Sequence, residues 1–174
     1  SAVVFNPMTG KYGIAGSRTA GDGQSEVYVV LNPDESLIIS AYNKDIKGIP
    51  YVFYDATSEP FEIKGIWKVD FIEGGPVLPP SSEIAELKSW TNFGAEEFRN
   101  FSGTARYTIR FSRPPAKADS WLLDPGRVAE SATVILNGQE IAVLTGPDFK
   151  VEIDKKLIKS QNTLEIKISN LMAN

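Results

Sequence analysis

The side chains that could carry chemistry in this sequence are carboxylates and aromatic rings, because the chain contains no histidine and no cysteine. That composition excludes Ser-His-Asp triads, Cys-His dyads, disulfides and metal sites built on histidine or cysteine. Acid/base catalysis would have to use carboxylates, lysine or tyrosine. The adjacent Glu96 and Glu97 are candidates by type, but glycosidase chemistry needs two carboxyl groups about 5–9 Å apart. Because most acidic residues fall in turns or on wet strand faces, we expect solvated charge and predict no catalytic residue.

Aromatic and arginine side chains are the alternative source of function, through binding. An exposed tryptophan offers a flat apolar face to a sugar ring. Trp67 and Trp121 lie among aliphatic residues in strand-like patterns, which favours the core. Trp90 follows a short segment and precedes a loop, so that a core lid and an exposed platform are both open. We name Trp90, Arg106 and Arg127 as candidate ligand-binding residues, while noting that each arginine could equally pair with a carboxylate.

Charge and hydropathy restrict the partners. The chain has 18 Lys+Arg against 22 Asp+Glu and a net charge of −4, without a basic patch, so nucleic-acid binding is not expected. No apolar run approaches the length of a membrane helix, and no signal peptide is visible. No cofactor is predicted. Acidic turn residues such as Asp148 and Asp154 could coordinate a structural calcium ion, but no regular ligand spacing supports this.

The length of 174 residues suits one domain, or one domain with a piece of a second. The chain begins with Ser1 and Ala2 and has no initiator methionine. It ends three residues after Leu171, which closes a strand-like pattern. From these features we expect an excised piece of a longer protein.

The first half of the chain shows the period of two that is typical of strands. Residues 26–41 are predicted to form two strands around a Pro-Asp turn, after a weaker strand within 11–17. Residues 61–71 alternate around Gly65 and predict one bent strand. Residues 82–88 predict a short helix capped by the serine at its start.

The second half has clearer strand signals. Residues 105–111 alternate as a half-buried antiparallel strand, and 164–169 repeat the pattern. Asn137 and Gly138 separate two apolar segments and predict a type I′ hairpin. Residues 95–100 could form one helical turn. Many short antiparallel strands predict an all-β sandwich or jelly roll. The residues predicted to form its core are Tyr107, Ile109, Phe111, Val134, Leu136, Leu164, Ile166 and Ile168.

Two stretches of the second half resemble a known family. The first contains FSGTARY at 101–107, and the second contains GRVAESA at 126–132, followed by LNG at 136–138 and NTL at 162–164. Together they are similar to the C-terminal galactose-binding-like β-sandwich of large bacterial α-L-rhamnosidases of glycoside hydrolase family 106. The same succession of strand, Asn-Gly turn and strand resembles the sugar-binding domain of glycoside hydrolase family 2.

The resemblance implies an antiparallel jelly-roll β-sandwich over 61–174, preceded at 1–60 by a partial β-sheet that ends an upstream β-rich region. It also implies that catalytic carboxylates lie in a separate barrel domain. We therefore expect a non-catalytic module of a periplasmic or extracellular bacterial glycoside hydrolase that acts on plant-type polysaccharide. Its partners would be carbohydrate and the catalytic domain of the same parent chain. An autonomous carbohydrate-binding module is the alternative, and a complete carboxylate-dependent glycosidase is the third hypothesis.

Residues 1–60 contain too few strands to close a sandwich of their own. Val27, Val29 and Leu31 would face one way, while Tyr28 and Val30 would face the other, so that both faces are apolar. A strand that is apolar on both sides needs cover on both sides, which a lone small sheet cannot supply. We expect one face to pack on the C-terminal sandwich, with 43–60 as the connection. The other face would be exposed, or would meet an upstream domain or a second copy of the chain.

Overall fold

A computed structural model describes residues 1–31, 35–53, 59–146 and 149–171 of the chain. The chain divides into two compact units, residues 1–57 and residues 58–174. Among the described residues, every pairing between named strands is antiparallel. Helical structure there is confined to a few single turns. The prediction of an all-β antiparallel fold is therefore confirmed.

The first unit consists of one small sheet and one ribbon. Its strands are β1 (Ala2–Phe5), β2 (Tyr12–Ile14), β3 (Ser17–Thr19), β4 (Ser25–Val27) and β5 (Ile38–Ala41). The sheet has the order β2-β1-β5, and β3 pairs with β4. The weaker strand predicted within 11–17 thus consists of β2 and the start of β3.

The hairpin predicted over 26–41 is wrong. Strands form in only part of each predicted segment, and β4 pairs with β3 while β5 pairs with β1. Their predicted Pro-Asp turn at 33–34 lies outside the described residues. Alternation identifies an extended segment, but it does not identify the partner strand, which depends on contacts distant in the sequence. Here β5 lies beside β1 at an edge of the sheet, and all four of its residues are exposed.

The core of the first unit is small. Ala2, Val4 and Ala15 are buried there, and four partly buried residues pack around them. The next residue of β1 after the buried Val4 is Phe5. It lies directly across from Tyr12 on β2 and from Ile38 on β5. All three of these side chains are exposed. The packing of this sheet on the C-terminal sandwich stays a prediction.

The second unit is built on a six-stranded sheet with the order β11-β10-β13-β8-β6-β7, and β9 pairs separately with β12. One short helix, α1 (Glu96–Arg99), confirms the helical turn predicted at 95–100. The strands are β6 (Trp67–Gly75), β7 (Ser82–Ile84), β8 (Ser102–Ser112), β9 (Ser120–Leu123), β10 (Ser131–Leu136), β11 (Gln139–Thr145), β12 (Val151–Asp154) and β13 (Gln161–Ser169).

The core of the second unit lies against one face of this sheet. Six of the eight predicted core residues are buried, and Phe111 and Ile168 are partly buried and pack against the others. The β9–β12 pair contributes Leu123, Val151 and Ile153 to the same buried clusters. Two layers therefore enclose the core, which is consistent with a β-sandwich.

Two elements of the second unit differ from the predictions. Residues 82–84 form β7 and not a helix, because β6 presents an edge with which they pair, from Trp67 opposite Ile84 to Val69 opposite Ser82. A helix of seven residues is marginal without tertiary support. The bent strand predicted over 61–71 begins only at Trp67, since the chain turns at Gly65, where φ is +145°.

The predicted Asn-Gly hairpin is confirmed, with φ of 54° at Asn137 and 82° at Gly138. The Asn137 Nδ2 atom donates a hydrogen bond to Asn162 Oδ1 at 3.0 Å, and Asn137 Oδ1 accepts one from the Thr163 N–H at 3.0 Å. Asn162 also bonds both backbone polar groups of Lys159. The turn asparagine thus connects the hairpin to the start of β13.

Candidate functional site

Trp90 is a core residue and not an exposed platform. Only 5% of its surface is exposed, and its ring meets those of Phe71 and Phe101 edge-on, with centroids 6.0 and 5.9 Å apart. Such edge-to-face pairs stabilise aromatic clusters. Its indole N–H is buried and has no hydrogen-bond partner among the described residues. The core alternative for Trp90 is therefore correct, and its faces are not available to a sugar. Trp67 is likewise buried. Trp121 is partly buried and packs against the cluster of Leu136, Ile153 and Ile158.

Arg106 lies on the opposite face of the six-stranded sheet from this core, because its neighbours Ala105 and Tyr107 are the buried positions of β8. Asp70 is directly across from it on β6. The Arg106 guanidinium lies 3.3 Å from Asp70 Oδ2 and 3.8 Å from Glu165 Oε2. Two carboxylates thus already compensate its charge, which is the ion-pair alternative named from the sequence.

Asp70 is the centre of this charged network. Its carboxylate accepts hydrogen bonds from the Ser81 hydroxyl at 2.6 Å and from Arg106, and Lys68 Nζ lies 2.9 Å away. These contacts lower the pKa of Asp70 from 3.8 to about 2. The hydrogen bond from Ser81 is the largest cause and that from Lys68 the next, while partial burial acts in the opposite direction. The network fixes β6 to β8 and to the segment before β7.

Arg127 is exposed in the loop between β9 and β10. In that loop the Gly126 N–H donates to Asp124 Oδ1 at 2.8 Å, and Gly126 has φ of +74°. The Arg127 side chain makes no hydrogen bond or ion pair in the described part of the chain. Within those described residues, no contact joins any two of Trp90, Arg106 and Arg127, so these three predicted residues are not brought together into one site.

A groove that the sequence did not predict lies at one end of the six-stranded sheet. Its walls are the segment 61–64, the end of β8 and the start of β13. Phe61 is 46% exposed in it. The polar side chains along the groove are Glu62, Lys64, Arg110, Ser112 and Gln161. An exposed aromatic ring beside several polar side chains is the combination that we expect of a carbohydrate-binding surface.

The described acidic residues considered from the sequence lie at the surface or hold local structure. Glu96 and Glu97 are exposed in the first turn of α1. Asp154 accepts a hydrogen bond from the Lys156 N–H at 2.8 Å and so caps a single helical turn. Asp148 lies outside the described residues, and the described part of the chain contains no cluster of three acidic side chains that could hold a metal ion. In that part there is also no helix long and apolar enough to cross a membrane.

The antiparallel sheets of the second unit and the core between them define a β-sandwich-like module. Comparison with known proteins agrees with this class, although no family model matches the chain. The chain is similar to a protein from Formosa agariphila described as "Putative beta-glucuronidase", with 32% identity over 160 residues, or 87% of this chain and 14% of that protein.

Among solved structures, a rhamnosidase from Novosphingobium sp. PP1Y matches 98% of this chain, with a TM-score of 0.74 and 26% identity. The match occupies 16% of the rhamnosidase chain. A β-glucuronidase from Ruminococcus gnavus shares the fold over 68% of this chain, with a TM-score of 0.52 and 24% identity, and the match occupies 24% of that protein. This chain therefore corresponds to a domain-sized part of larger glycoside hydrolases.

Proposed function

We propose that this chain is a non-catalytic accessory module of a larger bacterial glycoside hydrolase. One observation carries the proposal: 98% of the chain superimposes on a rhamnosidase while spanning only 16% of it. Several described carboxylates support the same conclusion, because Asp124 and Asp154 hold turns and Asp70 and Glu165 pair with Arg106. The module would support the catalytic domain of its parent chain and contribute to binding carbohydrate.

The finer assignment is a galactose-binding-like jelly roll of an α-L-rhamnosidase of the glycoside hydrolase family 106 type. The motif residues support it by their structural roles. Asn137 and Asn162 bond each other, and Asn170 Oδ1 accepts from the Gly103 N–H at 2.8 Å. The motifs thus specify the framework of a sandwich and not a reaction. We place the parent enzyme in the periplasm or outside the cell, acting on plant-type polysaccharide.

An autonomous carbohydrate-binding module is the second candidate. The groove favours it, because the exposed Phe61 ring lies beside polar side chains that can bind sugar hydroxyl groups. The two candidates differ in one measurable property, which is whether the isolated chain binds glycan.

The test of the non-catalytic assignment is hydrolysis. We expect no release of aryl alcohol from aryl α-L-rhamnosides or aryl β-glucuronides by the purified chain. Hydrolysis that a single substitution such as Glu97→Gln abolishes would contradict the assignment.

In the parent enzyme, deletion of this segment should lower the thermal midpoint of unfolding. If the deleted enzyme keeps its KM for a small aryl glycoside, the module supports the fold and does not bind that substrate.

A further inference from the structure

The groove exists because β8 is longer than the part of it that β6 covers. The pairing of β6 with β8 ends at Lys68 opposite Thr108, whereas β8 continues to Ser112 and pairs with β13 along that extension. At Gly65 the chain turns away, and a β-carbon there would lie 3.4 Å from Ile109 Cδ1. No backbone hydrogen bond joins 61–66 to β8 among the described residues. The segment 61–64 therefore forms a separate wall of the groove.

The walls formed by β8 and β13 carry hydrogen-bonding groups suited to sugar hydroxyls. Arg110 and Ser112 alternate along β8, and Ser112 lies opposite Gln161 on β13, so these three side chains share one face of the sheet. Gln161 Nε2 donates to Ser112 Oγ at 2.9 Å. That contact leaves the hydroxyl proton of Ser112 and the amide oxygen of Gln161 for a ligand. One donor and one acceptor side by side can bind neighbouring hydroxyl groups.

The charge of the groove is positive in a chain whose net charge is −4. Glu62 and Lys64 pair with each other, with Oε2 and Nζ 3.1 Å apart. Arg110 makes no ion pair or hydrogen bond through its side chain among the described residues. This differs from Arg106 on the same face of β8, which two carboxylates compensate. The uncompensated cation of the groove is thus a planar guanidinium, which binds carboxylate groups through two parallel hydrogen bonds.

We propose that this groove binds acidic oligosaccharides that contain uronic acid units. The Phe61 ring stacks on the apolar face of one sugar, and Arg110 binds a uronate carboxylate. Ser112 and Gln161 bind hydroxyl groups of the same or the next unit. The inference rests on the proposed function, because it gives a ligand class to the carbohydrate contact of that module.

The test is calorimetric titration of the full chain with two acidic tetrasaccharides, tetragalacturonate and a tetramer of β-1,4-linked glucuronate. Each has a matched neutral control: the methyl ester for the first and cellotetraose for the second. We expect the acidic probes to bind more tightly than their controls. Arg110→Gln should weaken acidic binding about 10- to 100-fold, the range for a hydrogen-bonded charge. It should leave the weak binding of the neutral probes unchanged. Phe61→Ala should weaken all four, and Phe61→Tyr should retain binding.

Two exposed residues that do not line the groove provide matched control variants. Arg99→Gln removes another exposed arginine, and Tyr12→Ala removes another exposed aromatic ring. Neither should change the affinity, and near-UV circular dichroism should show that every variant is folded. Equal affinity for acidic and neutral probes, binding of neither acidic probe, or binding that survives both Phe61→Ala and Arg110→Gln would overturn the proposal.

This result is separable from the proposed function. A chain that binds no acidic probe and hydrolyses no aryl glycoside loses the groove assignment and keeps the accessory role. A chain that hydrolyses glycosides loses the accessory role, whatever the titrations show.

Discussion

Gly74 and Gly103 lie directly opposite each other on β6 and β8, and their backbones approach more closely than side chains would permit. A β-carbon at either residue would lie 2.6 Å from the Cα atom of the other, and closer still to a carbonyl oxygen of the facing strand. Phe101, which is fully buried, lies over the pair, 3.0 Å or less from both β-carbon positions. Both glycines have positive φ, 137° and 156°. Because neither glycine has a side chain, the Phe101 ring can lie against this part of the two strands.

The first prediction tests this contact. Gly103→Ala should lower the free energy of unfolding by about 2–4 kcal/mol, because the new methyl group meets backbone atoms and the residue is held at a strained φ. The measurement is urea denaturation followed by tryptophan fluorescence. Gly75→Ala is the matched control in β6, since a β-carbon there meets nothing within 4 Å. Equal stability changes in the two variants would contradict the close-contact argument.

The parts of the fold that the sequence predicted are those that local chemistry decides. Alternation along 105–111 identified the buried positions of β8, because successive side chains of a strand point to opposite faces. Asn137 and Gly138 fixed their hairpin, because both must adopt positive φ. Pairing partners were not predictable in this way. Residues 82–84 became a strand only because the edge of β6 was available.

The candidate site was less predictable for the same reason. Whether Trp90 is a platform or core depends on Phe71 and Phe101, and the sequence around Trp90 contains no record of those contacts. The groove needs the turn at Gly65 and the unequal lengths of β6 and β8, which are tertiary features. One signal was present: Gly65 interrupts an alternating pattern, and an interior glycine in a strand pattern often marks a change of direction.

The second prediction concerns the asparagine that joins the hairpin to β13. Asn162 is 2% exposed, and its side chain bonds Lys159 and Asn137. Asn162→Ala should lower the free energy of unfolding by about 1–3 kcal/mol, because it leaves buried polar groups without partners. Asn100→Ala is the control, since Asn100 is exposed and its side chain makes one long bond, 3.4 Å, to Glu96. Chemical denaturation of both variants measures the difference. An equal loss in both would show that burial of the Asn162 network is unimportant.

The third prediction concerns the sandwich core. Leu164 is 1% exposed on β13, and it lies opposite Leu136 on β10 and Ile109 on β8. Leu164→Ala should cost about 2–5 kcal/mol through lost transfer free energy and the cavity left behind. Leu122→Ala, at an exposed position of β9, should change the thermal midpoint much less. If both variants have the same thermal midpoint as the wild type, Leu164 does not contribute to the core as described.

The last prediction concerns the pH dependence of the Asp70 network. The Asp70 side chain is 14% exposed, and its pKa is about 2 in the folded chain against an ordinary value of 3.8. A carboxyl group whose pKa is lowered by folding binds fewer protons in the folded state, so it stabilises the fold at pH values above its ordinary pKa. That contribution decreases as the pH falls from 3.8 toward 2, where the folded form also becomes protonated. Asp70→Asn should therefore cost about 1–3 kcal/mol near pH 7.

The difference between wild type and Asp70→Asn should shrink as denaturation is repeated at lower pH, and it should be smallest near the folded pKa of about 2. Taking the difference at each pH cancels the titration of carboxyl groups that both proteins share. Asp119→Asn is the control: Lys155 lowers the pKa of this carboxyl as well, but the pair is exposed. Surface ion pairs of this kind contribute little to stability. A difference for Asp70→Asn that stays constant from neutral pH to acid would show that the Asp70 charge does not stabilise the sheet.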